Sequence, residues 1–209
     1  MSATAAPVAS DRSDFRTVTV GGAKLGLATA VAVVAFLAAA RLVPVSAGVR
    51  GGVEALIVLA AGLAVSFIPA QWTAARSTEG IAGAAAIGLV GTVVFSALDI
   101  AVLRPFKAYP WTWDAIGGGS TWWYLPIWWM LGTFLAWMGG IVTAAGTGTG
   151  AASGEATLPR RVLPVLAGTI IVAAVARLAG ASVALPVVTG AAFTLVLAAL
   201  ALVALARKG

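Results

Sequence analysis

Residues 80–103 read GIAGAAAIGLVGTVVFSALDIAVL, an apolar run of 24 residues interrupted by one ionisable group, Asp99. Wound as an α-helix rising 1.5 Å per residue, the run extends about 36 Å, against roughly 30 Å for the hydrocarbon core of a bilayer. A barrel strand would alternate polar and apolar residues, whereas Ala, Gly, Val and Leu follow one another here without alternation. In hydrocarbon every backbone donor and acceptor needs a partner within the protein, and a helix supplies all of them from one segment. The stretch therefore reads as a membrane-crossing helix.

Working outward, runs of the same kind lie at about 25–43, 53–73, 122–142, 160–180 and 186–206. The chain is 61% hydrophobic and only 10% charged, where soluble domains carry about 25% charged residues. The expectation is an all-α integral membrane protein: one domain over 21–209, a bundle of six transmembrane helices with one Trp-rich outer loop, behind a polar tail at 1–20. A cleavable leader is the competing reading of the first run, because Val45-Ser46-Ala47 has the small residues of a cleavage site. The run is longer than a signal core of about 7–15 residues and its leader is partly acidic, so a retained helix is expected.

The 13 basic and 7 acidic residues give a net charge of +6. The basic residues stand singly or in pairs at the ends of apolar runs, where they report topology; a nucleic-acid partner is not expected. With the N-terminus inside, Arg12, Arg16, Lys24, Arg76, Arg160, Arg161, Arg207 and Lys208 fall on the inner side. Arg41, Arg50, Arg104, Lys107 and Arg177 fall on the outer side. That bias favours both termini on the inner face of a cytoplasmic membrane. The absence of Cys and His removes thiolate nucleophiles, zinc sites and haem with His or Cys ligands, so no metal is expected and no cofactor can be named.

Polar groups inside a membrane are costly and need a reason. Thr92, Ser96 and Asp99 recur at helical spacing and share a face that Gly88 continues. The face suits a helix–helix seam, or a polar groove ending in a carboxylate that meets a ligand. Arg177, in the fifth run, falls at a similar depth, so a pair or shared pocket between Asp99 and Arg177 is expected. In the fourth run Trp122, Pro126, Trp129, Thr133, Trp137 and Gly140 form a stripe that could line a slot for a hydrophobic molecule or face lipid. Trp111, Trp113, Trp122, Trp123 and Tyr124, with Arg104 and Lys107, suit the membrane–water interface. The candidate ligand residues are thus Asp99, Arg177, Ser96, Thr92, Trp129, Thr133 and Trp137.

The stretch Pro105-Phe106-x-x-Tyr109, followed by Thr112, Gly117, Pro126, Trp129 and Trp137, resembles a segment of the membrane carotenoid hydratases, over about a fifth of the chain and without the Gly after Phe106. The resemblance implies a polyene or isoprenoid substrate with Asp99 at the acidic position. Three functions are compatible with these residues. The first is binding or transport of a small or hydrophobic ligand between helices. The second is a structural or accessory subunit docking through small-residue faces such as Gly80/Ala84/Gly88 and Gly139/Gly140. The third is a membrane-embedded enzyme on a lipid or isoprenoid. Membrane lipids are the expected partners, with other membrane subunits or a second copy in the accessory case.

Overall fold

A computed structural model of the chain describes residues 12–42, 46–106, 124–145 and 158–207. They form six helices: α1 (Phe15–Leu42), α2 (Ala47–Trp72), α3 (Thr78–Leu98), α4 (Tyr124–Ala145), α5 (Leu158–Leu178) and α6 (Leu185–Ala206). A π-helical turn, Asp99–Leu103, extends α3. All six are long and apolar enough to cross a membrane, and no strand occurs among the described residues.

The first helix begins at Phe15 rather than near residue 25, and so takes in the last residues of the polar stretch. The cause is a cap. Asp14 Oδ1 accepts the Thr17 N–H at 3.0 Å and Oδ2 accepts the Thr17 hydroxyl at 2.6 Å, satisfying an end donor that would otherwise lack a partner. Those bonds hold the Asp14 carboxyl below its ordinary 3.8. Ahead of the cap, the Arg12 N–H donates to the Thr73 carbonyl at 2.8 Å, and the Ser13 hydroxyl donates to Glu79 Oε1 at 2.6 Å. The end of the tail is thereby fastened to the turn between α2 and α3.

Helix α2 is the hub, packing on α1, α3, α4 and α6, while α3 also lies along α1 and α4. Glycines set the directions. Gly22 and Gly26 of α1 meet Val90 and Gly91 of α3 in parallel; Gly88 of α3 meets Gly132 and Ala136 of antiparallel α4. Gly62 of α2 lies on Phe193 of parallel α6. Phe67, Leu135, Met138, Phe193 and Leu197 fill the centre between α2, α4 and α6. Helix α5 is the exception, because it packs substantially on α6 alone. It contributes buried Val165 to that core, but Leu163, Ile170, Ile171, Val175 and Leu178 stay exposed.

Candidate functional site

Asp99 is only 2% exposed, and its Oδ2 receives Arg104 Nε at 3.1 Å. In a regular α-helix residues five apart are turned about 140° from one another, too far to pair. The π turn corrects this: the Arg104 N–H bonds the Asp99 carbonyl at 3.0 Å, a five-residue step that widens the helix and brings both side chains to one side. The expected pairing of Asp99 with Arg177 does not form. Matching depth does not make neighbours: α3 packs among α1, α2 and α4, whereas α5 leans on α6. Arg177 is exposed, and its Nη1 donates to the Ala181 carbonyl at 2.9 Å in the turn beyond α5.

Below Asp99 the polar face of α3 is buried against α4. Trp129 Nε1 donates to Ser96 Oγ at 3.3 Å, Ser96 Oγ donates to the Thr92 carbonyl at 2.7 Å, and Thr92 Oγ1 donates to the Leu89 carbonyl at 2.9 Å. The hydroxyls are thus occupied within the bundle, as Ser and Thr in apolar helices commonly are. Close approach makes the seam. A Cβ on Gly88 would lie 2.5 Å from the Gly132 carbonyl oxygen and 2.6 Å from Ala136 Cβ, and one on Gly132 would strike the Thr92 methyl. Gly139 rests on the Ser66 carbonyl, and Gly140 approaches Ile81 and Ala84. The faces Gly80/Ala84/Gly88 and Gly139/Gly140, expected as docking surfaces for other chains, are therefore consumed inside this one.

Among the described residues the tryptophan stripe of α4 does not keep to one environment. Its members diverge: Trp129 turns toward Ser96, Pro126 and Trp137 are exposed, and Gly140 is buried. Thr133 is half-buried, its hydroxyl donating to the Trp129 carbonyl at 2.7 Å. Small residues win the buried face because they let backbones approach closely, which leaves bulky Trp137 outside. Trp128, off the stripe, stands edge-on to Phe95 at 6.0 Å between ring centroids. Lys107, Trp111, Trp113, Trp122 and Trp123 lie outside the described residues, as do Tyr109, Thr112 and Gly117 of the hydratase-like stretch. Tyr124 starts α4.

The open space is elsewhere. Because α5 leans on α6, a groove of about 440 Å³ remains between it and α2. Gly52 and Leu56 of α2, Ala173 and Arg177 of α5, and Leu185 and Thr189 of α6 are among its walls. Leu56 and Ile170, both well exposed, mark its lateral opening. Sequence reasoning missed this groove, since it is set by which helices touch. A smaller cleft of about 310 Å³ separates α1 from α2 and is walled by Ala, Leu, Val and Ile with one Thr. Among the described residues no group of three or more Asp or Glu side chains could hold a metal ion.

Comparison with protein-family models, curated proteins and solved structures gives no match for this chain, so its functional reading rests on its own geometry.

Proposed function

We propose that this is a multi-pass membrane protein that binds a hydrophobic ligand laterally, in the groove between α2, α5 and α6. The observation that carries the reading is the groove itself: about 440 Å³ with mostly aliphatic walls and a lateral opening. That volume lies within the roughly 300–1,000 Å³ of small-molecule pockets. The competing centre at Asp99 is less suited to turnover, because its carboxylate is buried and engaged by a guanidinium. The accessory reading loses the two small-residue faces on which it stood, both filled by the chain's own helices. With both termini inside, as the distribution of basic residues favours, the Arg177 end of the groove opens toward the outer leaflet.

The test is to narrow the groove without touching the seam. A Cβ on Gly52 would meet nothing within 4 Å, so the side chain of Gly52→Leu fills part of the groove at no backbone cost. Total lipid and other hydrophobic molecules retained by the purified protein should fall sharply in this variant and in Ala173→Phe. Equal retention by wild type and both variants would remove the groove as the binding site.

A further inference from the structure

Resting on that reading, we infer that the ligand is an anionic membrane lipid, with its headgroup at Arg177 and one acyl chain along the groove. Length is the first ground. From Thr169 to Arg177 the groove follows α5 for about 12 Å at 1.5 Å per residue, close to half of a roughly 30 Å hydrocarbon core. It thus matches the reach of a chain from one leaflet and stops where headgroups lie.

Chemistry along the groove is the second ground. Its two hydroxyls are engaged, Thr169 Oγ1 donating to the Val165 carbonyl at 2.7 Å and Thr189 Oγ1 to the Leu185 carbonyl at 2.9 Å. The deep part therefore offers an alkyl chain mostly hydrocarbon. Among the described residues Arg177 is the sole ionisable one lining the groove, and it stands at one end. Its guanidinium carries five N–H donors, of which the bond to the Ala181 carbonyl uses one. Among the described residues no carboxylate lines the groove to compete for the others. Glu54, two residues from both Gly52 and Leu56, is turned about 160° away from each around α2. A guanidinium beside the surface, with several donors to spare, favours a phosphate that it can grip with two parallel bonds. A neutral polyene or a zwitterionic lipid would gain less from it.

The experiment uses the full chain, reconstituted in equal amounts of phosphatidylglycerol and phosphatidylcholine, with bound lipid counted by native mass spectrometry. Wild type should enrich the anionic lipid roughly fivefold, the effect of one basic side chain near a charged headgroup. Arg177→Gln should return the ratio to that supplied while total bound lipid is kept, and Arg177→Lys should restore part of the preference. Arg177 is exposed, so these variants should keep the fold of the wild type, which thermal unfolding checks. Enrichment that survives in Arg177→Gln, or none in wild type, overturns the anionic assignment and leaves the groove standing. Unchanged total lipid in both Gly52→Leu and Ala173→Phe overturns the groove itself.

Discussion

The seam between α3 and α4 and the flank where α5 meets the bundle are built from the same small and aliphatic residues, yet they end in opposite states. At the seam, Gly88, Gly132 and Gly139 remove the side chains that would hold backbones apart, and the polar groups bond one another across or along the helices. At the flank, Ala173 and Gly52 also present little bulk, but among the described helices none closes the space between α2 and α5, and a groove remains. Small residues therefore do not mark a docking surface in themselves. What decides is whether the chain has a helix left to fill the space.

If the seam is the rigid half of the molecule, its breakage should be costly and the flank should tolerate change. The largest effect is expected for Asp99→Ala, which takes the buried carboxylate away from half-buried Arg104; losing one partner of a fully buried pair costs about 3–5 kcal/mol, and the partial exposure of Arg104 puts this change at the low end. Replacing both residues with apolar ones of similar volume should cost much less, and reversible unfolding in detergent measures both. Gly139→Ala comes next, since its methyl would press on the Ser66 carbonyl and overpacking costs about 1–3 kcal/mol. Gly52→Leu, the matching change at the flank, should stay within about 0.5 kcal/mol. Equal losses for Gly139→Ala and Gly52→Leu would erase the contrast. Ser96→Ala, which removes the hydroxyl that receives Trp129, should cost about 0.6 kcal/mol, the average for a hydrogen bond between membrane helices.

The smallest effect lies outside the hydrocarbon. Asp14 has its folded pKa lowered from 3.8 by the Thr17 hydroxyl and N–H. Its contribution to the start of α1 is therefore complete above 3.8 and is lost as pH falls through the lowered value. The Thr17 amide shift should titrate in that acid window, and Asp14→Asn should abolish the titration.

The six helices were legible because each apolar run has about the length that a helix needs to cross the hydrocarbon of a bilayer, so composition and length suffice. The burial of Thr92, Ser96 and Asp99 was legible too, from their common face. The partner of Asp99 was not: depth along two helices can be counted from sequence, but adjacency between helices cannot, and a π turn that brings Arg104 round to Asp99 leaves no periodic signal. The early start of α1 was hidden because Asp14 and Thr17 look like a solvated tail until their mutual bonds are seen. The groove was hidden for the same reason as the adjacency, being a consequence of α5 touching α6 and little else.

The six-crossing layout, on which the lipid reading depends, is tested most directly by labelling single cysteines with an impermeant reagent in sealed vesicles. The chain contains no cysteine, so the background is silent, and Ser46, Ser77, Ser182 and Arg207 are all exposed. Cysteines replacing Ser77 and Arg207 should react from one side of the membrane, and those replacing Ser46 and Ser182 from the other. Labelling of Ser77→Cys and Ser182→Cys from the same side would contradict the layout.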